Sequence, residues 1–575
     1  MLHLKQRHFI LVLSVLVGLL SGLAAVIIKN SVHFIQTAIT YGFAESIHKY
    51  LFVIYPMIGI FITAFIIHRV IKSPVEPGIP FTLFSISKRN SIIRRFKMFS
   101  SMITSVFTVG FGGSAGLEGP SVLTSAAIGS NIGRTFKMNY KVRTLLIGCA
   151  ATASMAAIFK APVAAIVFAI EVIMLDLTTA SLIPLLLAST TAAITSHLFL
   201  GDDVLFHYKL EDAFRISDMP FYLLLGIVAG FASLYFSKIY LFFINLFQRI
   251  KNNYKRALVG GVLLGIVLLL FPPLYGEGYD MVNAILNGEG NKLIANTLFD
   301  TDNAYLFLLF ITMLFFFKVL ATSFTIGSGG VGGIFAPTLF MGSVLGFLFS
   351  KTMNVFGFKD LSESNFTLVG MAGLMAGILH APLTAIFLIA EITGGYELFI
   401  PLMFTAAIAF TTVKLFMPHS VYTVQLAERG ELITHHKDKA VLTMMRLEQE
   451  IEKNFHPVKP NDSLGELVKV VAKSKRNLFP VVDEEGFLAG IVSLDQIRNI
   501  MFDKSQYDEL TVENLMESPA ELVQINDPME TVVNKFELSE AWNLPVVDGG
   551  KYIGFVSKSK LFSAYRKLLV EFSEE

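Results

Sequence analysis

Apolar stretches broken by glycine and proline fill the first 427 residues, near 9–28, 51–68, 98–111, 145–175, 182–200, 220–246, 257–271, 304–320, 335–350, 366–392 and 398–416. Several are shorter than the roughly 20 residues that a perpendicular helix needs to cross a bilayer. Tilted and half-spanning helices are therefore predicted, a habit of transporters and channels. After about residue 427 the pattern turns charged, through Glu428-Arg429-Gly430-Glu431 and a predicted helix carrying Arg446 to Lys453, so 428–455 reads as a linker. Beyond it a soluble pattern occurs twice. Pro480-Val481-Val482-Asp483 followed by Gly490-Ile491-Val492-Ser493 matches Pro545-Val546-Val547-Asp548 followed by Gly554-Phe555-Val556-Ser557. Each copy, 456–502 and 512–575, reads as strand, turn, strand and helix, preceded by a helix over Leu464 to Ser474 or Met529 to Ser539.

The membrane part, 1–427, also repeats, in halves of about 1–205 and 215–427. Thr325-Ile326-Gly327-Ser328-Gly329-Gly330-Val331-Gly332-Gly333-Ile334-Phe335-Ala336-Pro337 echoes Thr108 to Pro120, with Phe335 standing where Glu118 stood, an offset of 217 (335 − 118). Ala161-Pro162-Val163-Ala164-Ala165-Ile166 to Glu171 matches Ala381-Pro382-Leu383-Thr384-Ala385-Ile386 to Glu391 at an offset of 220 (381 − 161). Interruptions at corresponding places in two halves point to one shared site near the bilayer midplane.

Composition agrees. With 53% hydrophobic and 16% charged residues and a mean hydropathy of +0.61, the chain is an integral membrane protein. A net charge of +1 identifies no partner, and nothing calls for nucleic acid. The single cysteine, Cys149, excludes an intrachain disulfide and a cysteine metal cluster and reads as a packing residue. Lys88, Arg89, Arg94, Arg95 and Lys97 fill one short loop, which the positive-inside rule places in the cytoplasm. The first apolar run follows Lys5, Arg7 and His8 without a small-residue cleavage pattern and reads as retained.

The candidate chemistry centres on Glu118, in Gly112-Gly113-Ser114-Ala115-Gly116-Leu117-Glu118-Gly119-Pro120. An ionisable group in lipid costs roughly 3 kcal/mol on insertion scales and is kept where it handles ions or protons. A glycine-rich segment entering a helix leaves backbone N–H groups unpaired, and the aligned peptide dipoles add about half a positive charge, so such ends bind anions. Pro120 and Pro337 fit a first helical turn, where no N–H is needed. Partial charges replace hydration water and still release the ion, whereas a full cation would hold it. Small residues also serve close helix packing, but two copies at a fixed offset, one with a buried glutamate, favour a site.

These residues resemble the CLC family of chloride channels and proton-coupled chloride exchangers, over nearly the whole chain, with the repeated C-terminal part resembling paired CBS domains. The family's Gly-x-Glu-Gly-Pro stands as Gly116-Leu117-Glu118-Gly119-Pro120, its Gly-x-Phe-x-Pro as Gly333-Ile334-Phe335-Ala336-Pro337, its Gly-Ser-Gly-Ile-Pro as Glu76-Pro77-Gly78-Ile79-Pro80, and its tyrosine after the last membrane helix as Tyr422. The resemblance implies an all-α polytopic CLC fold of two repeats with broken helices, plus a cytoplasmic α/β CBS pair. It implies a homodimer with one pore per subunit, in a bacterial-type plasma (inner) membrane, voltage-gated by family habit. Glu118 would be the gate, competing with the anion and swinging away when protonated or displaced. The amides of Ile334 and Phe335 with the Tyr422 phenol would hold the central anion, those of Leu117 and Gly119 the outer one, and Pro77 and Gly78 would line the inner end. Tyr422 also suits an interfacial aromatic belt.

The chain departs from the family in places. Pro77 replaces the usual serine, removing a hydroxyl and an N–H from the inner pathway, so a weaker preference for chloride over nitrate is expected. Leu117 replaces a frequently basic residue. Val172 stands where many exchangers place the inner proton-accepting glutamate, which favours an anion channel over a proton-coupled chloride or nitrate antiporter. Glu171 and its repeat mate Glu391 suit helix ends, and Lys160 and His380, just before the two Ala-Pro pairs, suit structural roles. In the CBS pair Asp495 falls one residue early and Lys560 fills the second Asp's place, which argues against a nucleotide; no other cofactor and no metal is called for. A CBS-containing magnesium transporter would need acidic, oxygen-rich pathways, and no hydrolase motif is present; both are disfavoured.

Overall fold

The computed structural model describes residues 6–40, 45–73, 77–173, 179–201, 206, 214–289, 303–428, 442 and 445–573. Glu76 of the inner motif and most of the expected linker, 429–441, lie outside the described residues. The chain forms two compact units, Met1–Leu432 and Ile433–Glu575.

The first unit is helical. Its first half comprises α1 (Gln6–Thr40), α2 (Glu45–Phe65, continued by a π-helix over Ile66–Ile71), α3 (Gly78–Lys88), α4 (Lys97–Gly110), α5 (Glu118–Thr135), α6 (Tyr140–Phe159), α7 (Pro162–Glu171) and α8 (Thr179–Leu200). The second comprises α9 (Met219–Gln248), α10 (Asn253–Leu270), α11 (Tyr279–Leu286), α12 (Ala304–Gly327), α13 (Phe335–Val355), α14 (Glu363–Leu379), α15 (Pro382–Ile392) and α16 (Phe399–Lys414), after which comes α17 (Val424–Glu428). Each helix of the first half has a mate eight places on. Among the described residues seven helices are long and apolar enough to cross a membrane, while α7, α14, α15 and α16 are shorter apolar helices. Both Ala-Pro breaks are built alike. Lys160 and His380 end α6 and α14 in the left-handed conformation, and Pro162 and Pro382 start the next helix, where a missing N–H costs nothing.

Hydrogen bonds between the halves come in reciprocal pairs. Gly116 N–H donates to the Gly333 carbonyl at 2.9 Å and Gly333 N–H to that of Gly116 at 2.7 Å. The Ser114 amide donates to Thr325 Oγ1 and the Val331 amide to Thr108 Oγ1, each at 3.0 Å. The Glu171 carboxylate, ending α7, accepts from the amides of Leu383 and Thr384 at 3.0 and 2.7 Å, and Glu391, near the end of α15, accepts from those of Val163 and Ala164 at 3.0 and 2.8 Å. The C-terminal end of each helix meets the N-terminal end of its mate, so equivalent helices run antiparallel and the halves are inverted. That relation is absent from the linear repeat. Cys149 is buried, with Sγ 3.7 Å from Ser14 Oγ.

In the second unit β1 (Leu478–Val482) pairs antiparallel with β2 (Leu488–Ser493); β3 (Val523–Gln524) runs parallel to β4 (Asn543–Asp548), which pairs antiparallel with β5 (Lys551–Ser557). Helices precede the hairpins at Leu464–Lys473 and Met529–Ser539. The helix expected over Arg446 to Lys453 is one turn, Leu447–Glu450. Glu452 leaves it because its backbone exchanges both hydrogen bonds with Phe555 on β5, at 2.7 and 3.0 Å, and Glu517 does the same with Ile491 on β2. Each segment thus edges the other copy's hairpin, and a paired extended backbone outcompetes local helix propensity.

Candidate functional site

Three helices begin close together. A methyl group added at Gly78 would stand 1.9 Å from the Gly119 carbonyl oxygen, and one at Gly119 would stand 3.3 Å from Gly333 Cα, so the N-termini of α3, α5 and α13 meet through glycine. None has a side-chain cap: Pro77, Leu117 and Ile334 hold the cap positions. By contrast Asn139, Asn252, Asn303 and Ser362 cap α6, α10, α12 and α14 with their own oxygens. The uncapped first turns leave amides with no intrahelical acceptor, and three dipole ends add their positive potential. The meeting point is an anion-attracting centre lined, apart from the exposed Pro77, by residues buried from solvent.

Glu118 is the first residue of α5 and is fully buried. Its Oε2 has no hydrogen-bonding partner within normal distance among the described residues. The carboxylate folds back over Gly116, where an added methyl would stand 2.0 Å from Oε2, and faces the amides of Glu118 itself and of Ala336 on α13. Its Oε1 accepts from the Tyr279 hydroxyl at 3.1 Å. Tyr422 lies within electrostatic reach of Glu118, and its buried hydroxyl has no partner among the described residues. Phe335, fully buried, closes the apolar side with ring centroids 5.1 Å from Phe159 and 6.4 Å from Phe168.

The structure thus brings Pro77, Gly78, Gly116, Leu117, Glu118, Gly119, Gly333, Ile334 and Phe335 together, with Tyr422 within electrostatic reach of Glu118. Gly116 and Gly333 contribute close approach, since the N–H of each donates to the carbonyl of the other. The Leu117 amide donates to Glu277 Oε1 at 3.4 Å. Val172 is buried at the end of α7 with its N–H on the Phe168 carbonyl. Glu171 is committed to capping α15, with a third bond from Thr384 Oγ1 at 2.7 Å. Lys160 Nζ donates to the Gly201 carbonyl at 2.7 Å, and the His380 ring meets Phe410 edge-on. In the CBS pair Asp495 is paired with Arg498, and Lys560 Nζ donates to the Gln449 carbonyl at 3.4 Å.

Sequence reasoning missed Glu277, Tyr279 and Lys318. Lys318 is fully buried on α12, its Nζ 2.9 Å from Ser114 Oγ. One signal was available: Glu277-Gly278-Tyr279 echoes Glu76-Pro77-Gly78 in sequence at an offset of 201 (277 − 76), and Tyr279 begins α11 as Gly78 begins α3.

Residues 59–414 match the family model for voltage gated chloride channels, and 449–503 and 512–567 each match the CBS domain model. The chain is 29% identical over 444 residues to the H(+)/Cl(-) exchange transporter ClcA of Vibrio cholerae, covering 74% of this chain and 90% of that protein. Its fold is similar to a slow cyanobacterial Cl-/H+ antiporter, at 23% identity and a TM-score of 0.64 over 74% of this chain and 99% of the other. It is also similar to a eukaryotic CLC transporter, at 18% identity and a TM-score of 0.60 over 97% and 99%. Inverted halves, uncapped helix ends meeting at a buried glutamate and a C-terminal CBS pair agree with these matches, and the chain belongs to the voltage gated chloride channel (CLC) family.

Proposed function

We propose that the protein is an anion channel of the CLC type in which the Glu118 carboxylate is the gate. The observation that carries this reading is that three uncapped helix ends meet where the Glu118 carboxylate lies. The Glu118 carboxylate stands in for the anion in the closed pathway; protonated or displaced, it leaves the first-turn amides of α5 and α13 and the Tyr422 hydroxyl to chloride. Passive conduction is favoured over exchange because Val172 cannot take up a proton and Glu171 is committed to its cap. A proton-coupled antiporter is the second reading, favoured by the similarity to ClcA.

The same reading makes the protein a homodimer with one pore per subunit, in a plasma (inner) membrane with the Lys88 to Lys97 loop and the CBS pair in the cytoplasm. The CBS pair would support the dimer and restrain gating without a nucleotide. Proteoliposomes with simultaneous chloride and pH recording test it. Chloride flux without uphill proton movement is expected, and continued chloride flux in Glu118→Gln, which mimics the protonated gate. Proton uptake driven by a chloride gradient would establish the antiporter instead.

A further inference from the structure

Glu277 sits in the turn that enters α11, the mate of α3. Gly278 has φ +88°, and an added methyl there would stand 2.6 Å from the Phe340 ring, so only glycine lets this turn close against α13. Lys318 holds the turn from α12, its Nζ 3.3 and 3.4 Å from the carbonyl oxygens of Gly276 and Glu277. From this fixed turn two side chains reach the gate. The Tyr279 hydroxyl donates to the Glu118 carboxylate, and the Glu277 carboxylate accepts from the Leu117 amide at 3.4 Å. Charged groups face Glu277 from each neighbouring helix: Lys29 on α1, Lys318 on α12, Asp280 on α11 and Glu118 on α5. With Lys29, Leu117 and Tyr279 it lines a cleft at the end of the gate helix.

We propose that Glu277 is a second gating carboxylate, which in its ionised form holds the Leu117 amide away from the permeating anion and on protonation or displacement releases it. The inference rests on the anion-pathway reading above. An ionised carboxylate and a halide compete for the same donor, and a charge-assisted bond is roughly twice as strong as a neutral one. Loss of the charge therefore frees the amide for the anion. A carboxylate serving only as counter-charge to Lys29 and Lys318 would hold the turn in place but give anion flow no second pH dependence.

The test is chloride flux in proteoliposomes with Glu118→Gln as the background, which removes the first gate. That variant is expected to keep an acid-activated flux, falling about tenfold as pH rises and one carboxylate ionises. Adding Glu277→Gln should raise the flux at the alkaline end to its acid value, and Glu277→Asp in the same background should restore the pH dependence. If the Gln protein does not elute as a single species, Glu277→Leu serves as the uncharged variant. A flux that is already flat in Glu118→Gln, or acid activation that survives removal of both carboxylates, overturns the proposal and leaves the Glu118 gate standing. Chloride impermeability of the native protein and every variant would instead overturn the pathway reading, and the role of Glu277 with it.

Discussion

The buried Tyr422 hydroxyl has no partner among the described residues, yet burying a hydroxyl unbonded costs about 1 to 3 kcal/mol. Such a group persists where a ligand uses it. Tyr422→Phe should therefore leave the melting temperature unchanged or slightly raised, and weaken chloride binding about tenfold, as loss of one hydrogen bond to a charged group implies. Thermal unfolding in detergent and calorimetric chloride titration read the two effects separately; unchanged affinity would make Tyr422 a packing residue. Pro77 is argued in the same way. It caps α3 with neither a hydroxyl nor an N–H, so the inner pathway lacks a donor that a serine would bring. Reversal potentials in mixed chloride and nitrate should show a weak chloride preference, strengthened in Pro77→Ser. A strong native preference for chloride would remove the argument.

Among the elements, α7 and α15 form a closed exchange in which each helix caps the other with a carboxylate. Anionic caps are worth about 1 kcal/mol, up to about 2 where partly buried. Glu171→Ala should destabilise the membrane unit by about that amount, and more than Glu391→Ala, because Glu171 also accepts from Thr384 Oγ1. Melting temperatures of the two variants decide it. The same pairing explains why Glu171, although a half-buried carboxylate close to the expected relay position, is a cap. In the CBS pair Glu452 belongs to the junction between copies. Burial acts to raise its carboxyl, but hydrogen bonds from Ser557 and Arg476, with the charges of Arg476 and Lys560, outweigh burial and hold it below the usual carboxylate range. A group whose folded value is depressed contributes stability above its unfolded value, and that contribution is lost as pH falls through the folded one. Hydrogen exchange at the Phe555 amide of the full chain should be faster in Glu452→Gln near neutrality, with the difference shrinking in acid.

On the scale of the molecule, inversion places corresponding features on opposite sides of one centre. Two like helix ends, α5 and α13, face each other through Gly116 and Gly333, and the start of α3 packs against that of α5 through Gly78 and Gly119. Steric demand at these glycines follows from the geometry. Gly78→Ala would drive a methyl into the Gly119 carbonyl, and Gly116→Ala would drive one into the Glu118 carboxylate. The first is expected to separate α3 from α5 and lower expression of folded protein; the second is expected to displace the gate carboxylate and raise basal chloride flux. Size-exclusion profiles and flux assays distinguish the two.

The sequence by itself determined the membrane class, the two halves, the glycine-led helix starts and the buried Glu118, because hydropathy, repeat offset and helix-start chemistry are local properties of a chain. It also determined the CBS hairpins, whose short apolar runs are bounded by turn residues. Tertiary structure alone decided that the halves are inverted, that Gly116 and Gly333 pair with each other, that Glu452 extends as an edge and that Glu171 ends as a cap. It also brought Tyr279 onto Glu118 across 161 residues of chain (279 − 118). The physical reason is common to all of these. Each depends on which donor meets which acceptor once the halves have packed, and linear periodicity carries no record of that encounter.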